Sequence, residues 1–230
     1  MKAILFDLDD TLYAEFEYVK SGYKAVAEYL SKQCSVDAKV ILDNMLSNFK
    51  QSGREKIFDK IVRTLNLNDS IEVKALLYIY RIHKPHIKLF KDAIWVLKEL
   101  RNEGFKLGII TDGLGSVQKN KIEALKIQKY FDLIICTDDI GPDACKPSLI
   151  PFQLAMKLIN IKNNNAYYIG DNPAKDFYGP KKLGMKTIRV RQIMDSDYVP
   201  QDTSDDDYLA EYEVYNLMEI LPIIKGKMDE

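Results

Sequence analysis

The chain has 230 residues, 47% of them apolar and 29% charged, with 33 Lys and Arg against 34 Asp and Glu for a formal net charge of -1. That length supplies one large domain or two modest ones, and the balanced charge offers no electrostatic footprint for nucleic acid or an anionic membrane. No apolar run approaches the roughly 18–20 residues of a membrane-spanning helix, and three unevenly spaced cysteines, Cys34, Cys136 and Cys145, argue against a disulfide framework and for a reducing cytoplasm.

The first predicted element is a buried strand over residues 2–7, which leaves no room for a signal peptide. Its apolar run, Ala3 to Phe6, stops abruptly at Asp7-Leu8-Asp9-Asp10-Thr11. From Glu15 to about His83 the pattern is helical. Phe16, Val19, Tyr23, Val26, Ala27 and Leu30 recur at three- and four-residue steps and share one face. Asp37 can cap a second helix, with Val36 placed to staple against Ile41. Ile57, Phe58, Ile61, Val62 and Leu65 form a third, and Ser70 can cap a fourth that runs through Tyr80. After Pro85, strands at 105–111, 132–136, 166–170 and 186–191 alternate with helical segments at 91–103, 116–127, 148–159 and 175–183. A last strand at 212–215 and a helix from Asn216 complete the chain. Such alternation predicts an α/β fold, a doubly wound parallel sheet of Rossmann-like type, covered by helices on both faces. The expected organisation is a catalytic core of 1–14 and 86–230 with an all-helical insertion at 15–85.

Ligands of such sheets bind at the carboxyl ends of the strands, and here those ends are polar. The first carries Asp7, Asp9 and Asp10; the second ends Ile110-Thr111-Asp112-Gly113. A loop after the third holds Lys146, and the fourth ends Gly170-Asp171, with Asp176 shortly after. Side chains at i and i+2 of an extended backbone share a side, so Asp7 and Asp9 can address one reacting group. Carboxylates without imidazole or thiolate favour a hard cation, and Mg²⁺ is the usual choice beside phosphate. Thr111 and the amides of the following turn can cradle phosphate oxygens. Lys146 adds a point charge, and one carboxylate can then take phosphate covalently.

These four segments, in this order, resemble the motifs of the haloacid dehalogenase superfamily of phosphohydrolases, and the resemblance covers essentially the whole chain. It implies that Asp7 is the nucleophile and that Asp9 is the acid for the leaving group and then the base for water. It implies Mg²⁺ held by the side chains of Asp7 and Asp171 and the backbone carbonyl of Asp9. Thr111 would bind the phosphoryl group on a turn shared with Asp112, and Lys146 would hold that group and the nucleophile. Asp176 would orient Lys146 or bind a metal-ligated water. Many relatives carry an amide where this chain has Asp112. A carboxylate facing phosphate would oppose binding, so its side chain is expected to point away. The insertion resembles the superfamily's cap, which closes over the site and selects the substrate, here through Tyr13–Glu15 and His83–Ile87.

Other residues have plainer readings. Asp10 is expected to turn or cap the backbone, and Gly179-Pro180 to start or bend a helix. His83 and His86 lack a third zinc ligand and read as surface or hinge residues. Tyr18, Tyr23 and Tyr29 read as packing within the insertion, and Cys145 as a bystander. The expected activity is Mg²⁺-dependent hydrolysis of a small phosphorylated metabolite (a sugar phosphate, nucleotide monophosphate or phosphorylated acid) by a monomer or homodimer. A dehalogenase would need neither Asp9 nor Mg²⁺. A phosphomutase would need a cap that retains the intermediate, and a phosphonatase a Schiff-base lysine there. A binding module on this fold would be free to lose Asp7, Asp9, Lys146 or Asp171.

Overall fold

The structure, a computed structural model, describes residues 2–192 and 203–226. The chain divides into two compact units, Met1–Glu15 with Lys88–Glu230, and Phe16–Ile87. Among the described residues, no helix is long and apolar enough to cross a membrane.

In the first unit, six strands of the described residues form one parallel sheet: β1 (Ala3–Phe6), β2 (Lys106–Thr111), β3 (Leu133–Cys136), β4 (Ala166–Gly170), β5 (Lys186–Val190) and β6 (Tyr212–Val214). Their order is β3-β2-β1-β4-β5-β6, so strand order reverses between β1 and β4. β1 is buried along its whole length, as a strand covered on both faces must be. Phe6 pairs with Ile109 of β2 and with Ile169 of β4. The ladder runs one residue further, since the Asp7 N–H donates to the Ile169 carbonyl at 2.8 Å. Asp7 therefore leaves the sheet at the switch point where ligands of such folds collect. Helices α5 (Ala93–Asn102), α6 (Gly115–Leu125) and α7 (Ile150–Ile159) pack on β2 and β3. On one face, Ala3, Leu5, Ile110 and Tyr168 meet Phe152 and Met156 of α7.

The segment expected as one helix over 175–183 is two short ones, α8 (Pro173–Asp176) and α9 (Tyr178–Lys182). Asn172 caps the first, its side chain accepting from the Ala174 N–H at 3.0 Å. Pro180 has no N–H to give the Asp176 carbonyl, so α8 cannot run on. The two turns stay apart.

The second unit, entered along α1 (Glu15–Leu30), contains α2 (Ala38–Ser52), α3 (Ile57–Thr64) and α4 (Val73–Ile82). Val19, Val26 and Leu30 of α1 share a core with Ile41, Met45, Ile61 and Leu76. Asp37 caps α2, accepting from the Lys39 N–H at 2.8 Å. Ser70 does not cap α4. That helix starts only at Val73, and the Ser70 hydroxyl bonds back to the Leu67 carbonyl. His83 is no surface residue either. It is 8% exposed, lies 4.9 Å from the Tyr18 ring, and its Nδ1 is 2.6 Å from the Tyr80 carbonyl. Burial pushes its pKa below the ordinary value. Gly22 of α1 makes room for this cluster, since a Cβ there would lie 2.4 Å from the Tyr80 ring. Tyr18 and Tyr23 are buried in the packing of this unit and Tyr29 lies against its core.

Candidate active site

The site is organised by one buried cation. Lys146 Nζ, on a side chain with no exposed surface, donates to Asp7 Oδ1 at 2.7 Å, to Asp176 Oδ1 at 2.7 Å and to Tyr168 Oη at 2.9 Å. Burial alone would lower its pKa, but Asp176, Asp7 and Asp112 outweigh burial and raise it. The other Asp176 oxygen accepts the Asn172 N–H at 2.9 Å, so α8 delivers this carboxylate with both oxygens engaged. Burial works against its charge, but Lys146, Lys175 and these hydrogen bonds hold its pKa low. A Cβ on Gly170 would lie 2.5 Å from Asp176 Oδ2, so the end of β4 needs glycine for this close approach.

Asp7 is different. Its Oδ2 is buried and has no hydrogen-bond partner among the described residues. Burial pushes its pKa up to about 6, against the pull of Lys146. Burial also raises the Asp171 pKa well above the ordinary value, with Asp176 and Asp7 adding to the effect. Asp7, Asp171 and Asp176 offer carboxylate oxygens that lie within 4.8 Å of one another. Three buried carboxylates as oxygen-only donors, two of them held above their ordinary pKa, fit a hard divalent cation.

The other carboxylates turn to different partners. The Asp9 side chain is not part of that acidic cluster. It turns to α6, where Lys121 Nζ donates to Oδ1 at 2.7 Å and Oδ2 at 2.9 Å, and Gln118 Nε2 donates to Oδ2 at 2.9 Å. The Tyr13 hydroxyl also donates to Oδ1. Burial opposes ionisation of Asp9, yet Lys121, Tyr13 and Gln118 together hold its pKa down to about 2. A metal role for Asp9 is thus left to its backbone. Asp112 follows the expectation that its side chain turns away from the phosphate-binding turn: it anchors the Lys146 loop. Its Oδ1 accepts from Thr137 Oγ1 at 2.8 Å and from the Lys146 N–H at 3.2 Å. Thr111 is buried at the end of β2, with Gln118 Nε2 2.6 Å from its hydroxyl. Asp10 adopts a left-handed backbone (φ 55°) and accepts the Glu15 N–H at 2.7 Å, at the start of α1.

Tyr13, Gln118, Lys121 and Tyr168 were not singled out from the sequence. A signal for two of them exists: Gln118 and Lys121 stand three apart on α6, on the face that also buries Ile122 and Leu125. A buried lysine at helical spacing demands an anionic partner. As built, the arrangement holds one carboxylate with a free oxygen, one lysine against it, one hydroxyl, one ionised carboxylate and a cation-ready cluster. Such a set of groups is chemically suited to phosphoryl transfer.

Residues 4–190 match the family described as haloacid dehalogenase-like hydrolases. The chain belongs to that family. Among hydrolases of this kind it is 32% identical over 231 residues to a glyceraldehyde 3-phosphate phosphatase of Methanocaldococcus jannaschii, covering 98% of each chain. It is 28% identical to a pyrophosphatase PpaX of Halalkalibacterium halodurans, over 91% of this chain and 92% of that one. The crystal structure of a phosphatase of the family from Thermococcus onnurineus is similar at a TM-score of 0.64 and 27% identity, over 98% of this chain and 99% of that one.

Proposed function

We propose that this hydrolase is a Mg²⁺-dependent phosphatase of a small phosphorylated metabolite, working through an aspartyl-phosphate on Asp7 in the cytoplasm. The observation that carries the reading is Asp7 itself: Oδ1 is held by Lys146 while the buried Oδ2 has no partner and is free to attack. Mg²⁺, held by Asp7 and Asp171, would supply the positive charge that lets these carboxylates approach a phosphate. Asp176, with both oxygens engaged, orients Lys146.

In the first half, Asp7 Oδ2 bonds to phosphorus as the ester P–O bond breaks, and the leaving oxygen takes a proton from Asp9. Asp9 is ionised in the arrangement seen here, so it must take up that proton as substrate binds. In the second half a water attacks phosphorus and gives its proton to Asp9. The P–Oδ2 bond breaks, releasing phosphate and restoring the Asp7 carboxylate. Thr111 donates to a phosphoryl oxygen and Lys146 balances the charge that develops. The helical unit is assigned the cap's task of choosing the leaving group. All side chains invoked in the chemistry belong to one chain, so a monomer suffices, and a homodimer would add nothing to it.

The test is phosphate release from p-nitrophenyl phosphate with and without Mg²⁺, beside Asp7→Asn. A panel of sugar phosphates, nucleotides and phosphorylated acids follows, with glyceraldehyde 3-phosphate first. Mg²⁺-dependent turnover abolished by Asp7→Asn is the expected result. A folded protein that releases no phosphate from any of these and binds no beryllofluoride overturns the reading.

A further inference from the structure

Gln118 sits on α6 with 1% of its surface exposed, and its carboxamide nitrogen lies between two groups of the site, 2.9 Å from Asp9 Oδ2 and 2.6 Å from Thr111 Oγ1. The directions of the protons follow from chemistry. Asp9 already receives Lys121 on both oxygens and the Tyr13 hydroxyl on Oδ1. With Gln118, those donors give each Asp9 oxygen two hydrogen bonds, so in this arrangement Asp9 accepts throughout. The end of Gln118 that faces it must be the NH₂ group. One amide hydrogen then serves Asp9 and the other serves Thr111. The Thr111 hydroxyl accepts from Gln118, and its own hydrogen is left to point elsewhere.

We infer that Gln118 is a positioning residue that sets the Thr111 hydroxyl as a donor to the phosphoryl group while fixing the Asp9 carboxylate beside it. This rests on the proposed function, in which Thr111 binds the phosphoryl group. Lys121 and Tyr13 hold Asp9, whereas Gln118 bonds both Asp9 and Thr111. Gly113, on the turn between Thr111 and Gln118, has φ 108°, a conformation that favours glycine. A glutamine buried this completely costs stability unless its polar atoms are paired. A residue needed only for packing would be met by leucine or methionine at the same position.

The experiment is a double-mutant cycle on the Mg²⁺-loaded full chain, using inorganic phosphate as probe by calorimetry and as a competitive inhibitor of p-nitrophenyl phosphate release. Gln118→Met keeps length and apolar packing, Gln118→Leu is the second variant if the first folds poorly, and Thr111→Val removes the hydroxyl. Either Gln118 variant is expected to weaken phosphate binding roughly 10-fold, the scale of one hydrogen bond to a charged group. In the Thr111→Val background the same change is expected to cost less than about 3-fold, because the donor it sets is gone. A merely structural role predicts equal losses in both backgrounds. Equal losses, or phosphate binding by a folded Gln118 variant as tight as the intact protein's, overturn the inference and leave the proposed function standing. An intact protein that neither binds phosphate nor hydrolyses its esters overturns both.

Discussion

Replacing Lys146 by methionine removes the cation between Asp7 and Asp176 while keeping a side chain of similar length. Lys146 lies 2.7 Å from each carboxylate, and none of the three side chains is more than 1% exposed. Taking one partner from such a buried arrangement costs about 3–5 kcal/mol, because the remaining charge has neither water nor a counter-ion. A carboxyl can escape by taking up a proton, and that sets a ceiling of about 1.4 kcal/mol per pH unit above its unfolded pKa of ~3.9. At about pH 7.5 the ceiling is ~5 kcal/mol for Asp176 but only ~2 kcal/mol for Asp7, whose pKa already stands at about 6, and at about pH 5 it is ~1.5 kcal/mol, for Asp176 alone. The sign follows: removal of Lys146 carries the folded pKa of Asp176 above the unfolded value and pushes that of Asp7 up further from about 6. The stability missing at neutral pH is therefore regained as pH falls toward ~4. The expected loss is about 3–5 kcal/mol at pH ~7.5, shrinking to under ~3 kcal/mol at pH ~5. Denaturant unfolding in a chelator measures it, followed by fluorescence of Trp95, the chain's single tryptophan, which lies on α5 of the sheet-containing unit. Adding Asp176→Asn should recover part of the stability without recovering phosphate release. A loss under ~1 kcal/mol, or one that does not change with pH, would refute the view that these groups are desolvated and dependent on Lys146.

Gly170→Ala should lower kcat about 100-fold, because the new Cβ would sit 2.5 Å from Asp176 Oδ2 and push the carboxylate off Lys146; steady-state kinetics on p-nitrophenyl phosphate check it. Mg²⁺ at ~100 times its Kd should stabilise the intact protein by about 2.7 kcal/mol. Asp171→Asn should abolish that shift in thermal melts, and an unchanged shift would remove Asp171 from the ligand set. Asp132 accepts from the Leu107 N–H at 3.0 Å and from Lys106 Nζ at 2.9 Å. Despite partial burial, Lys106, that amide and Arg101 hold its pKa below the ordinary value. Asp132→Asn should therefore cost about 1–2 kcal/mol at neutral pH, a difference that fades as pH falls below ~4; urea melts across that range test it.

Much of the fold could be read from residue order because its signals are local. Apolar runs bounded by helical segments specify a parallel sheet, and a strand's period places Asp7, Thr111 and Asp171 at its polar end. A pattern leaves boundaries open where one residue overrides it: Gly179-Pro180 lies in the first turn of α9, where a helix is expected to start or bend, whereas α4 starts past Ser70. Of the surface and hinge readings of His83, burial removes only the surface one. Its burial comes from Tyr18 and Tyr80, and the contact with Tyr18 spans most of the helical unit.

The sequence by itself determined the sheet, the polar residues at its strand ends and the family, since each depends on residue types in short, ordered stretches. Only the tertiary structure decided how those groups divide their work. Asp7, Asp171 and Asp176 share the cation-ready cluster, whereas Asp9, two residues from Asp7, is held by Lys121, which lies 112 residues away. Asp112 faces the Lys146 loop rather than a phosphate. Past the last ladder hydrogen bond the strand period no longer directs a side chain. A carboxylate then settles wherever distant segments bring a donor or a cation within about 3 Å, and that distance is set by packing, not by neighbours in the chain.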